Sequence, residues 1–176
     1  MSRSSQEPWS APVRLDQVGR GLTRKLVADE VERARIAKAL ELSSLDRLEA
    51  EVTLEPAPVG WRLRGRFSAD LEQTCGVTLE PLPAQVDGEI SVDLVEEAIE
   101  EPQSSPDHEF TLESPDPPDV AENGVVDLGA YVVEHLVLEL DPFPRKPGVE
   151  FEPPQAEAEA SPFAVLAQLK PKGDKA

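Results

Sequence analysis

The chain has 176 residues, with 35 acidic side chains against 17 basic ones and a formal net charge of −18. That length supports one domain with its own core and some loose ends. Its single cysteine, Cys75, excludes an internal disulfide and any zinc site built on several thiolates.

Residues 1–14 read as an N-terminal arm. Leu22 to Ala28 reads as a short strand, with Leu22, Leu26 and Ala28 on one face. Asp29 is placed to cap a helix whose first turn carries Glu30 and Glu32. That helix is expected to reach about Glu41 and to bury Ile36, Ala37 and Leu40.

The middle of the chain alternates. Leu48, Ala50, Val52 and Leu54 point one way while Arg47, Glu49, Glu51 and Thr53 point the other. Pro56 to Gly60 forms a loop. Alternation resumes with Trp61, Leu63, Gly65, Phe67, Ala69 and Leu71 on one face and Arg62, Arg64 and Arg66 opposite. A third run turns Ala84, Val86, Gly88, Ile90, Val92 and Leu94 inward and Asp87, Glu89 and Asp93 outward. A period of two with one wet face predicts an antiparallel sheet. The charges suggest a register: Glu51 opposite Arg64, Glu49 opposite Arg66, and Glu89 and Asp93 beside Arg66 and Arg62. The strand beginning at Trp61 is then central.

Residues 97–123 are rich in proline, serine and acid, a composition that buries little apolar area and predicts a long mobile acidic loop. Asp127 then caps a second helix, Leu128 to Leu140, whose apolar residues cover most of its circumference and predict deep burial. Asp141-Pro-Phe-Pro144 stops it, and Arg145-Lys-Pro-Gly148 follows as an isolated basic turn. The body is thus expected over 15–148, with an acidic linker at 149–160. The final stretch, 161–176, starts with Ser161 as a cap and Pro162 at the first helical position. Phe163, Leu166 and Leu169 or Lys170 follow at helical spacing, as in a helix-in-groove ligand. Docking on the chain's own sheet and docking on a partner both stay open. The fold class expected is α+β: an antiparallel sheet packed by two main helices, with a long acidic loop and a flexible C-terminal tail.

Enzyme motifs are missing. Gly19-Arg-Gly21 lacks the third glycine of a phosphate loop, and neither a serine elbow nor a His-Glu-x-x-His pair occurs. Cys75 shares parity with Leu71, Val77 and Leu79, which reads as a small buried hydrophobe rather than a nucleophile partnered by His135. His135 lies on the helix face of Leu128, Tyr131 and Val132, the position of a core or boundary histidine. The acidic loop lacks the spacing of a calcium loop. No cofactor and no metal site are expected. Between Phe67 and Pro144 there is no Lys or Arg, but there are 20 Asp and Glu. Such a stretch repels phosphate backbones and attracts basic partners. It serves either solubility or the docking of a basic protein. The opening residues lack the apolar run of a signal peptide, and no stretch approaches the roughly 20 apolar residues of a membrane span. A cytoplasmic location without membrane contact is expected.

Three segments together resemble the YceD family, the large ribosomal RNA subunit accumulation proteins. They are Leu71-Glu-Gln-Thr-Cys-Gly-Val-Thr-Leu-Glu-Pro81, the run from Val126 to Pro144, and Ser161-Pro-Phe-Ala-Val-Leu-Ala-Gln-Leu-Lys170. The resemblance covers most of the chain from about residue 20. Many of the relatives it points to carry Cys-x-x-Cys at the first segment and further cysteines after the proline stop, which suggests a metal knuckle in them. Here Thr78 stands three residues after Cys75 and Arg145-Lys-Pro-Gly148 replaces the later cysteines, so no metal site is carried over. The resemblance implies a non-enzymatic ribosome-assembly factor supporting accumulation or processing of large-subunit ribosomal RNA. Its expected partner is a basic large-subunit ribosomal protein or another assembly factor, with ribosomal RNA contacted indirectly. The candidate partner-binding residues are Phe163, Leu166, Leu169, Lys170, Arg145 and Lys146. A second reading is an RNA-contacting factor using its basic termini. A remote third is a nuclease or thiol hydrolase.

Overall fold

The computed structural model describes residues 7–96 and 117–151. Most of the acidic loop and the terminal peptide, with Phe163, Leu166, Leu169 and Lys170, lie outside the described residues. The strands are β1 (Pro12–Arg14), β2 (Leu22–Val27), β3 (Ser44–Pro56), β4 (Trp61–Thr74), β5 (Pro81–Val95), β6 (Asp119–Val120) and β7 (Val125–Asp127). The helices are α1 (Glu30–Ala39) and α2 (Leu128–Glu139). The sheet runs β2-β3-β4-β5-β6, and β1 pairs with β7 as a separate ribbon. All pairings are antiparallel except β5 with β6. The architecture is α+β, and β4 is central as the charge pattern requires.

Alternation places the core. Leu48, Val52, Leu54, Leu63, Phe67, Leu71, Ile90 and Leu94 are buried on the inner face. There they meet Ile36 of α1 and Leu128, Val132 and Leu136 of α2 in one hydrophobic cluster. Asp29 caps α1 through a reciprocal box: Glu32 N–H donates to Asp29, and Asp29 N–H donates to Glu32. Trp9 is buried, so residues 7–14 of the expected arm pack onto the body.

Four expectations need correction. In the β3–β4 hairpin, Glu51 faces Arg66, Thr53 faces Arg64 and Glu55 faces Arg62, two residues from the register inferred from charge. The turn decides this. Ala57 N–H donates to Gly60 O, and Gly60 takes φ +71, so β3 extends through Pro56 before the chain reverses. A two-residue slip keeps every side chain on its face, which is why the alternation could not detect it. Second, α2 is buried through Leu128, Gly129, Val132, Val133 and Leu136, but Val137 and Leu138 face solvent. One helical layer covers one face of the sheet, so among the described residues nothing packs on the far side of α2. Third, the acidic loop ends earlier: Asp119–Val120 pairs with Leu94–Val95, and Ala121 is buried. Fourth, Leu79 is 75% exposed with φ +61, because β4 ends at Thr74 and strand parity stops there.

Candidate partner-binding surfaces

The basic turn and the Cys75 turn form one knuckle. Gly76 N–H donates to Pro144 O at 2.9 Å and Leu79 N–H donates to Cys75 O at 2.9 Å. The Cys75 sulfur is fully buried and accepts N–H groups from Val77 at 3.5 Å, Thr78 at 3.4 Å and Lys146 at 3.4 Å. Across the same junction, Lys146 Nζ donates to Glu80 Oε2 at 2.8 Å. Gln73 Nε2 donates to Asp141 O at 2.9 Å, joining the end of β4 to the end of α2. The expectation that Cys75 is a plain hydrophobe is therefore incomplete, since its sulfur ties two loops together as an acceptor.

Hydrogen bonds from Thr78 chiefly, then from Lys146 and Val77, hold the Cys75 thiol down to about 6. The folded-state pKa lies below the free-thiol value near 8.5. The thiolate's contribution to stability is thus fully present above about pH 8.5 and is lost as pH falls through about 6. Thiolate absorbance at 240 nm is expected to titrate near pH 6 in the folded protein and about two units higher in urea. A folded-state midpoint above 8 would contradict the sulfur's hydrogen bonding.

A metal does not fit this knuckle. Cys75 is its single thiolate donor, Thr78 offers only a hydroxyl three residues on, and the Lys146 ammonium occupies the Glu80 carboxylate. Among the described residues there is no cluster of three or more His, Cys, Asp or Glu side chains suited to a metal. Polar contacts and a turn at Gly148 (φ +80), with Val149 N–H donating to Lys146 O, close the junction instead.

The uncovered face of the sheet is a charge ladder. Arg62 forks onto Asp93, Arg47 binds Asp70 at 2.7 Å, and Lys25 reaches Glu49 at 3.5 Å. The Arg62 and Arg47 contacts hold the Asp93 and Asp70 carboxyls below their usual range. Arg66, between Glu51 on β3 and Glu89 on β5, makes no ion pair among the described residues. It stands between two shallow open grooves, neither an enclosed cavity.

Beyond the arginine strand the surface is acidic. Asp87, Glu89 and Glu96 on or after β5, Asp119 and Glu122 near β6, and Glu134, Glu139 and Asp141 on and after α2 are all exposed. Tyr131 Oη donates to Asp119 Oδ2 at 3.0 Å; burial and the Asp119 charge push its phenol well above the usual range. His135 sits at the boundary, its Nδ1 2.9 Å from Tyr131 O.

Of the candidate residues, Arg145 and Lys146 are exposed on the knuckle, with the Lys146 ammonium already engaged by Glu80. The residue that sequence reasoning missed is Glu80. Glu80 is separated from Lys146 by 66 positions, and no local spacing signals that pairing.

A sheet with one helical layer, an open charged face and no enclosed cavity among the pockets described defines a protein built around surfaces. The family model for the large ribosomal RNA subunit accumulation protein YceD matches residues 63–170, more than half of the chain, and the chain belongs to that family. Searches of curated proteins and of solved structures returned no match. Among the described residues, no helix is long and apolar enough to cross a membrane.

Proposed function

We propose that this protein supports accumulation of large-subunit ribosomal RNA as a non-catalytic assembly factor, holding a basic ribosomal protein or assembly partner on its acidic side. The family's description supplies the role. The observation that carries the mechanism is charge segregation: the chain from Phe67 to Pro144 contains acids but no Lys or Arg. Its exposed acids gather along β5, β6 and α2. A one-signed surface raises the local concentration of oppositely charged partners and speeds their encounter. Cytoplasmic action is part of this reading.

The test is capture of purified basic large-subunit ribosomal proteins at low and moderate salt. Capture is expected to exceed that by an equally acidic control protein and to fall several-fold as salt rises. Exchanging Glu89, Glu96 and Glu134 for glutamine is expected to weaken it. Equal capture by the control would end the proposal. Removal of residues 161–176 in the same assay tests whether Phe163, Leu166, Leu169 and Lys170 contribute.

A further inference from the structure

We infer that the edge of the domain formed by β2 and α1 is a binding site for the sugar–phosphate backbone of RNA. The span 18–40 holds Arg20, Arg24, Lys25, Arg33, Arg35 and Lys38 against Asp29, Glu30 and Glu32, inside a chain of net charge −18. Sheet order places β2 at the edge farthest from β5 and β6. The acids nearest to it, Glu49, Glu51 and Glu55 of β3, lie on the open face, Glu49 paired with Lys25 and Glu55 with Arg64, whereas Arg24, opposite Val52, lies on the helix-covered face. Two of the three acids are committed locally: Asp29 and Glu32 form the capping box of α1. Arg33 of α1 donates from Nη1 to the carbonyl of Ala28, the residue that follows β2, at 2.8 Å. Arg20, Arg24, Arg35 and Lys38 are exposed and make no ion pair among the described residues.

The edge also offers backbone. Ala28 N–H donates to Leu48 O, so alternation turns the main-chain groups of Thr23, Lys25 and Val27 away from β3. Arginine and lysine on an edge strand also deter pairing with other strands. That role does not require a further cationic face on the helix. Arg35 and Lys38 nevertheless lie one turn apart and share the exposed face of α1 with Val31 and Ala34.

The chain's overall acidity does not prevent this. β2 and β5 are three strand spacings apart, about 14 Å, and the Debye length at physiological ionic strength is about 8 Å. A strand of RNA at β2 is therefore largely screened from the acids of β5 and β6. The choice of RNA as the polyanion rests on the ribosomal RNA role proposed above, whereas the basic edge itself does not. On this arrangement the two edges serve two partners, presenting a basic protein next to an RNA backbone.

The experiment measures fluorescence anisotropy of a labelled single-stranded RNA oligonucleotide with the full chain, from 50 to 250 mM salt. Three variants are compared: Arg24→Glu/Arg35→Glu/Lys38→Glu, the milder Arg24→Gln/Arg35→Gln/Lys38→Gln, and a chain ending at Leu169. The glutamate variant is expected to lose affinity about tenfold or more. Its slope of log affinity against log salt is expected to fall by about 2, as for three lost phosphate contacts on a single strand. The glutamine variant should lose less, in the same direction, with unchanged circular dichroism. Both should still capture basic ribosomal proteins, so this inference and the acidic-side reading fail independently. Wild-type affinity in both variants, loss of RNA binding only on truncation at Leu169, or equal displacement of RNA by polyglutamate would each overturn the assignment.

Discussion

Phe67→Ala is expected to lower unfolding free energy by about 3–5 kcal/mol, the range for removing a buried phenylalanine. Phe67 is 4% exposed and sits directly opposite Gly88 in the β4–β5 ladder. Its ring fills the space that a side chain at position 88 would take. A Cβ there would lie 2.6 Å from Phe67 Cε1 and 3.1 Å from Glu139 Cγ. Gly88→Ala alone therefore overpacks the site, at a cost of about 1–3 kcal/mol. The two changes relieve each other. The double variant should lose less than the sum of the singles, since contacting residues couple. Urea denaturation of the four proteins measures this, and strict additivity would mean the ring is not held against Gly88. A loss of this size is a large fraction of the roughly 5–15 kcal/mol typical of a folded domain.

Asp127→Ala is expected to cost about 2–4 kcal/mol and to release the N-terminal segment. Asp127 Oδ1 accepts Gly129 N–H at 3.1 Å and Ala130 N–H at 3.3 Å, the N-cap of α2. The same oxygen accepts Ala11 N–H at 2.7 Å, and the second oxygen accepts the Ser10 hydroxyl. Leu128 N–H returns a bond to Ala11 O at 3.1 Å. One carboxylate thus starts a helix and anchors the strand that covers it. A Cβ on Gly129 would stand 3.1 Å from the backbone at Trp9, Ser10 and Ala11, so the approach is close. In a Trp61→Phe background, fluorescence of the buried Trp9 reports the release. Asp127→Ala should shift emission to the red under native conditions, while Asp127→Asn, which keeps an acceptor, should shift it less. Unchanged emission in Asp127→Ala would show that the segment is held by apolar packing alone.

The candidate surfaces were only partly legible. Asp29 and Asp127 were readable as caps because a cap lies next to the helix it serves. The inward residues of β3, β4 and β5 were readable because strand parity needs no knowledge of the partner. The exact hairpin register was not, since a shift of two residues preserves every face and the turn geometry at Gly60 decides it. The Glu80–Lys146 and Cys75–Lys146 contacts were hidden for another reason. Each joins two turns more than 60 residues apart, and neither turn carries a periodic signal.

The order of residues by itself determined the α+β class, the central place of the arginine strand, the inward and outward faces, and the excess of acid after Phe67. These follow from local periodicity and from charge counted along the chain. Only the tertiary structure decided that α2 leaves Val137 and Leu138 in solvent, and that Cys75 accepts three backbone donors. It also decided that β2, in the basic span 18–40, stands at the sheet edge farthest from β5 and β6. Those outcomes depend on which segments become neighbours, and neighbours are chosen by burial summed over the whole core rather than by any short stretch of sequence.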